Sequence, residues 1–491
     1  MKAKIKISPR VIRETRSVCP VCLKSRPAVI VRRGSERFLE KSCPEHGFFS
    51  TVVWRGEDPS YEDWGANYSP PALNESYIPD CPAGCGLCQG HLQKTCCALV
   101  EVTSRCDLRC PVCFAGSGAA SAEPDLEELR SRFQELVGNG NTFIQLSGGE
   151  PTERGDLLEI VAAAKDAGCE NIQLNTNGLR LGKDKQYAKA LREAGLSFVF
   201  MQFDGTNDAI HMKLRGRPLN REKIAAIESC ADAFLGVTLV PTLAPGVNDN
   251  NIGEIIDFGF SNSPAVRGVH FQPISYFGRY HCAPSNADRI TLPEVLRAIE
   301  AQTGGKLSVN DFAPSRCDHP YCGFHGDFVV LPKKAIMKLT TNNSAPCCGD
   351  DAHLKNRRFV ARRWNRSEEG GTDSAESGGG GTLNGGTDSS DSGGRRTING
   401  GTDSAESGGG GTLNGGTDSG YSGDADSDFT ELNAFAKRIK SHGFTITAMA
   451  FQDAWNLDAG RLRNCSLHVS ERGRLIPFCA KYLSAAPSGG E

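Results

Sequence analysis

Between residues 96 and 300, short apolar runs alternate with amphipathic ones. CALVEVT (97–103), TFIQLSG (142–148), NIQLNTN (171–177), LSFVFMQFDG (196–205), GVTLVPTL (236–243) and GVHFQPI (268–274) read as strands. Such short runs, bounded by turn residues, suit strands that are covered on both faces. Between them, PDLEELRSRFQELVGN (124–139) and DLLEIVAAAKDAG (156–168) carry apolar residues at helical spacing, the second with Gly168 at its C-terminal end. Six strands with intervening helices predict an α/β fold, a parallel sheet curled into a partial (β/α)6 TIM-like barrel. Chemistry in such folds sits at the C-terminal ends of the strands, and the polar and glycine-rich motifs fall there.

The flanks carry a different pattern. Residues 1–60 hold two β-like runs, AVIVRR and FFSTVVW, with CPVC and CPEHG beside them, and form an N-terminal metal-knuckle module. Residues 61–95 are loop-rich and contain CPAGCGLC. Residues 301–369 and 429–491 make a cysteine-rich C-terminal region. A tandem 15-residue repeat interrupts it at 370–428: GGTDSAESGGGGTLN, GGTDSSDSGGRRTIN, the first unit again, then a decayed copy. The repeat holds 20 of the 56 glycines and one Leu or Ile per full unit. It cannot bury enough apolar surface to offset the entropy of ordering it, so a disordered Gly/Ser/Asp insertion is expected.

Composition narrows the class. Of 491 residues 20 are cysteine, the formal net charge is −3, and the mean hydropathy is −0.35. The charge lacks the basic excess of a dedicated nucleic-acid binder, and no run of about 18 apolar residues suggests a spanning helix. The opening MKAKIKISPRVIRETRS is basic without an apolar core, so no secretory signal and a cytoplasmic location are expected. In that setting 20 cysteines imply metal sites rather than a disulfide scaffold.

Directly after the first strand comes SRCDLRCPVCF, in which Cys106, Cys110 and Cys113 follow C-x3-C-x2-C with Phe114 adjacent. Three thiolates on one short loop can ligate three irons of a [4Fe–4S] cube. The fourth iron is left free for a substrate or cofactor. A structural zinc loop usually pairs two CxxC knuckles instead. After the second strand stands Ser147-Gly148-Gly149-Glu150-Pro151, and after the third Asn175-Thr176-Asn177-Gly178. The C-x3-C-x2-C loop and the GGEP motif resemble the radical S-adenosylmethionine (SAM) superfamily over residues 96–300. The resemblance implies a [4Fe–4S] cluster on Cys106, Cys110 and Cys113. It also implies SAM contacts at Gly148, Gly149, Glu150, Asn177, Gln202 and Asp204. The ends of the fifth and sixth strands, Thr238 to Thr242, Gln272 and Pro273, would approach the adenosine.

The other cysteines suggest further metals. Cys81, Cys85 and Cys88 repeat the C-x3-C-x2-C spacing but follow a Pro-rich loop and lack the aromatic. They fit an auxiliary iron–sulfur cluster with Cys96 or Cys97 as fourth ligand, or a zinc site. Cys19-x2-Cys22 and Cys43-x2-His46 suit one tetrahedral site on two knuckles, for zinc or a rubredoxin-like mononuclear iron. Cys317, Cys322, Cys347, Cys348, Cys465 and Cys479 could hold another cluster of four ligands. Cys169 and Cys230 sit on helical patterns and read as core; Cys282 is isolated.

Together, the N-terminal CPVC…CPEHG, CPAGCGLC, the SAM motif and the C-terminal ITAMAFQDAWNLDAGRLRNCSLHV…RLIPFCAKY resemble one subfamily. Its members have been assigned as tetraether lipid synthases and as 7,8-dihydro-6-hydroxymethylpterin methyltransferases. The repeat departs from that pattern. The resemblance implies reductive cleavage of SAM to a 5′-deoxyadenosyl radical that abstracts hydrogen from an unactivated C–H bond. The first expectation is coupling of isoprenoid chain ends of diether lipids, with peripheral contact at the inner membrane face. The alternative is methyl transfer to the pterin, with Asp204, Gln272 or Asp453 at its polar edge. A second alternative is maturation of a peptide or protein. All three need a small-molecule, lipid or peptide substrate and a ferredoxin- or flavodoxin-type reductant protein.

Overall fold

The computed structural model describes residues 10–66, 68, 81–82, 85–88, 90–118, 123–315, 317–339, 352–366 and 425–487. The chain divides into two compact units, 1–367 with 435–491, and 368–434. Residues 370–424 of the repeat lie outside the described residues, so the expected disorder there is untouched. Residues 425–428, read above as its tail, instead open a helix, Ala425–His442. The helical spacing of Phe429, Leu432, Phe435, Ala436 and Ile439 accounts for it.

The N-terminal strands β1 (Arg10–Val18), β2 (Ser25–Arg33), β3 (Glu36–Cys43) and β4 (Gly47–Arg55) form an antiparallel sheet in that order. One face contributes Ile30, Leu39 and Trp54 to the main core, while Val31, Phe38 and Val52 make a small cluster of their own. Two polar ties bind this sheet to the C-terminal segment. The buried Lys41 Nζ donates to Ser17 Oγ and to the Trp455 carbonyl, both at 2.9 Å. Arg13 pairs with Asp458, which also accepts from Thr15 Oγ1 at 2.7 Å.

All six expected barrel strands are present, five within two residues of their sequence bounds and the fourth ending three residues before its expected end. They are β5 (Cys97–Thr103), β6 (Phe143–Gly148), β7 (Asn171–Thr176), β8 (Phe198–Gln202), β9 (Gly236–Val240) with the short β10 (Thr242–Leu243), and β11 (Val266–Pro273). Each is parallel to the next. Both predicted helices form, as Leu126–Gly138 and Leu157–Asp166; Asp125 caps the first by accepting from Glu128 N at 2.8 Å.

Sequence patterning did not reveal that the C-terminal region extends this sheet at both edges. After β12 (Ala313–Pro314), β13 (Gly323–Val330) and β14 (Ile336–Lys338), strand β15 (Gly443–Met449) lies parallel to β11 and antiparallel to β13. On the far side β16 (Leu467–Glu471) lies parallel to β5 and carries β17 (Arg474–Pro477). Alternate residues of these strands, such as Gln145, Gln173, Phe200, His270 and Thr447, line one cavity of about 350 Å³. Side chains alternate across a strand, so one cavity fed by inward positions from β5 round to β15 requires a curled sheet. Among the described residues, no helix is long and apolar enough to cross a membrane.

Candidate active site

Cys106, Cys110 and Cys113 follow β5 at the barrel mouth, half-buried and lining the cavity. Their loop is held from several sides. Leu108 packs with Leu179 and Leu219. Cys113 exchanges backbone hydrogen bonds with Arg279, at 2.9 and 3.0 Å, and the Arg279 side chain donates to the carbonyls of Cys110 and Ser117. Phe114 sits edge-on to Tyr482, with ring centroids 4.9 Å apart. Burial pushes the Cys106 thiol up to about 12, with the carboxylates of Glu150 and Asp107 adding to it. A bound metal supplies the positive charge that such a thiol needs to ionise. Three soft donors around a cavity, on an anchored loop, fit an iron–sulfur cube.

The glycines after β6 have a structural reason that sequence did not show. A Cβ on Gly148 would stand 2.1 Å from the Thr103 carbonyl oxygen, and one on Gly149 2.0 Å from that of Arg105. Gly148 also has φ +132°. The space next to both is therefore filled by the start of the cluster loop, to which Gly149 N and Glu150 N donate at 2.8 and 2.7 Å.

Glu150 is buried, and its carboxylate accepts from Thr152 N, Thr152 Oγ1, Thr176 Oγ1 and Asn177 N at 2.6–3.2 Å. Burial still leaves its pKa raised. Asn177 in turn donates to Asp107 at 2.6 Å and accepts from Leu179 N. The Glu150–Asn177 pair thus bolts the ends of β6 and β7 to the cluster loop.

Asp204 has a different place from the one expected. It is fully buried and does not line the cavity. Its oxygens accept a bidentate pair from Arg215 at 2.7 and 2.6 Å, the Thr242 N–H at 3.1 Å and the Gln202 amide. With every lone pair used inside the protein, it has none to offer a cofactor ribose or a pterin edge. Arg215 and Gln202 face the cavity in its stead, and Arg215 carries no motif that would have singled it out. The same correction applies to Asp453. It is sealed by Arg289 at 2.9 and 3.0 Å and by the backbone of Tyr276 and Trp455. Gln272 does line the cavity, with Thr242 and Pro273.

The outer cysteines regroup. Cys19, Cys22, Cys43 and His46 bring one donor atom each within 4.8 Å of one another, and no other group of at least three His, Cys, Asp or Glu among the described residues does so. Cys22 Sγ and Cys43 Sγ are 4.0 Å apart, near the roughly 3.8 Å that a tetrahedron with metal–sulfur bonds of about 2.3 Å requires. Burial opposes ionisation of the Cys43 thiol, but hydrogen bonds from His46, the local backbone and Arg26 bring it down to about 5. The donor set therefore fits a tetrahedral zinc or iron.

Cys81 and Cys85 have sulfurs 3.5 Å apart, and the Cys85 thiol is raised by its bond to Cys81, by burial, and by Cys88 and Cys465 nearby. Cys96 instead hydrogen-bonds to Cys317, which lowers the Cys96 thiol. Cys97 begins β5 and lines the far end of the cavity. Cys96 and Cys97 thus do not join the 81–88 loop as expected, whereas Cys465 approaches it. The cause is the pairing of β16 with β5, which sets 463–466 against 92–97: Leu92 N donates to Arg463 O, and Cys96 N to Ser466 O, both at 2.8 Å. Cys322 accepts from Arg461, and Cys479 from Gln452 N. Cys347 and Cys348 lie outside the described residues. Cys169 and Cys230 are core.

A family model described as the Radical SAM superfamily matches residues 100–259, and one described as the HMPTM N-terminal zinc ribbon domain matches 11–55. A 7,8-dihydro-6-hydroxymethylpterin dimethyltransferase of Methanocaldococcus jannaschii is 35% identical over 355 residues, which cover 71% of this chain and 68% of that protein. A GTP 3',8-cyclase of Limosilactobacillus fermentum is 30% identical over 181 residues, 36% of this chain and 54% of the relative. An Fe-coproporphyrin III synthase of Methanosarcina barkeri is 32% identical over 236 residues, 45% and 56% respectively. The chain spans little more than half the length of these last two.

Proposed function

The chain belongs to the radical SAM superfamily, in the subfamily that contains the pterin dimethyltransferase, and on that premise we propose that it transfers methyl groups to 7,8-dihydro-6-hydroxymethylpterin. The observation that carries the proposal is the 35% identity to that enzyme over 71% of the chain. It reverses the order of the sequence expectations, which set isoprenoid coupling first. The cavity supports the same order. At about 350 Å³ it lies near the small end of the range that holds drug-sized ligands. It combines an aromatic floor of Phe143, Phe200 and Trp364 with amide side chains on its walls, which suits a flat heterocycle better than two long isoprenoid chains.

The superfamily's cofactors are a [4Fe–4S] cluster and SAM. When bound, they supply an electron and a 5′-deoxyadenosyl radical that takes a hydrogen atom from a C–H bond. Cys106, Cys110 and Cys113 would hold three irons, and the cysteine group at 81–88 with 465 would hold an auxiliary cluster. The protein's part is placement. The Gly148–Gly149 contact sets the height of the cluster loop over β6. Arg215, held by Asp204, presents a fixed cation to the cavity. The aromatic floor excludes water from the reacting centre. A ferredoxin- or flavodoxin-type protein would supply the electron.

The test is anaerobic incubation of reconstituted protein with SAM, reductant and either the dihydropterin or a diether lipid, read by mass spectrometry. Mass gain of one or two methyl groups on the pterin is expected. A tetraether or macrocyclic lipid with an unmodified pterin would overturn the reading.

A further inference from the structure

Deep in the barrel, two glutamines on adjacent strands face the cavity side by side. Gln145 on β6 and Gln173 on β7 are register partners on adjacent parallel strands. They are 8% and 2% exposed, and both face the cavity. Among the described residues, nothing hydrogen-bonds to either side-chain amide. Several other buried amides of this chain are engaged. Asn248 donates to the carbonyls of Asp204 and Thr242 and accepts from Ala244 N, all at 2.8 Å, and Gln452 accepts from Asp458 N. The amides of Gln145 and Gln173 open instead onto the cavity, where their donors and acceptors are free to meet a ligand or water.

The surroundings say what kind of ligand. His270 sits across the barrel with Nδ1 2.8 Å from Thr447 Oγ1 and its ring 5.1 Å from that of Phe200. Burial holds its pKa at about 4, so the ring is neutral. Phe200 and Trp364, with centroids 5.5 Å apart and planes 35° apart, form an apolar wall of the same cavity. The two glutamines stand one inward step below Ser147 and Asn175, about 7 Å deeper along the strands. A ligand reaching them shares one cavity with the cluster loop and these aromatic rings. A primary amide carries a coplanar acceptor and donor, the complement of an amino–oxo or ring-nitrogen edge, which glutamine reads in a bidentate manner on adenine. An isoprenoid chain offers neither amide a partner.

We propose that Gln145 and Gln173 are the specificity-determining residues of this site, reading the 2-amino-4-oxopyrimidine edge of the substrate within the barrel. This rests on the pterin reading above and deepens it. Two adjacent amides, about 4.8 Å apart across the strands, present alternating donors and acceptors along one line, and the aromatic wall offers the ring an apolar surface.

The test is equilibrium binding of 7,8-dihydro-6-hydroxymethylpterin to the full-length, cluster-loaded protein with SAM present. Wild type is compared with Gln145→Leu and Gln173→Leu, and with the 2-oxo analogue, the corresponding lumazine. Each substitution should weaken pterin binding roughly 10- to 100-fold and erode the preference for pterin over lumazine. Iron content, SAM affinity and the unfolding temperature should hold, because the substituted amides face the cavity and bond to nothing among the described residues. Should a Leu variant lose its iron, Gln145→Met or Gln173→Met, which keep the unbranched shape, take its place. Wild-type pterin binding that persists undiminished and equally selective in the variants overturns the glutamine assignment alone. No pterin binding to wild type, with turnover of lipid instead, overturns both the assignment and the pterin reading.

Discussion

Two cysteine sites in this chain are built on opposite plans. The N-terminal knuckle assembles its four donors from two turns of a single antiparallel sheet, and they converge within 4.8 Å. The cluster loop presents three thiols that line a cavity. Its shape depends on Leu179 and Leu219, the Gly148–Glu150 turn, Asn177 and Arg279, which come from four separate stretches of chain. A tetrahedral metal closes its own coordination sphere and can be enclosed locally. A cluster that must leave one iron open has to be placed against a pocket, and only a whole barrel makes one.

The sharpest way to separate the two plans is to remove one set of donors at a time. Cys106→Ala, Cys110→Ala or Cys113→Ala should reduce 5′-deoxyadenosine formation to background under reducing, anaerobic conditions, while metal analysis still finds the knuckle ion. Undiminished formation would sink the cluster assignment. Cys43→Ala should do the converse. It should release the knuckle metal and forfeit much of the roughly 10 kcal/mol that a structural zinc contributes, seen as faster amide exchange in β1–β4. Cleavage of SAM should persist; its loss would mean that the two sites are not independent.

Smaller effects probe how each region is braced. Asp204→Ala leaves Arg215 as an uncompensated buried charge, which should cost about 3–5 kcal/mol by denaturant unfolding. A change within error would show that Arg215 finds water. The bracing of the knuckle sheet should appear in acid. Burial works against the Asp458 carboxylate, but Arg13 and Thr15 hold its pKa down at about 2, from an ordinary 3.8. A depressed carboxylate pKa adds stability that is full above the unfolded value and is lost as pH falls through the folded one. Wild type should therefore lose roughly 2 kcal/mol between about pH 4 and pH 2, and Asp458→Asn should lack that part of the acid transition. Parallel acid curves for the two proteins would contradict the role of the Arg13–Asp458 pair.

Much of the architecture was readable because its signals are local. Six apolar runs bounded by turns gave the strand positions, and C-x3-C-x2-C, GGEP and the paired knuckles marked the chemistry. The flanking strands β15 and β16 escaped notice because they lie far along the chain from the strands they join, behind the repeat. Once β16 pairs with β5, Cys465 moves toward Cys85 and Cys96 toward Cys317, a regrouping that no spacing in the sequence encodes.

The residue types at the site could be named from sequence alone, but not their tasks. Asp204 and Gln202 stand two positions apart, and a motif reading treats them alike. Tertiary structure turns one toward Arg215 and leaves the other facing the cavity. Gln145 and Gln173 look like ordinary polar residues within strands, and only the curl of the sheet directs both inward with no partner. Hydrophobic periodicity and short-range spacing are properties of the chain and survive without the fold. Which polar groups are satisfied, and which are left to meet a ligand, depends on strand register and closure, and those exist only once the barrel has formed.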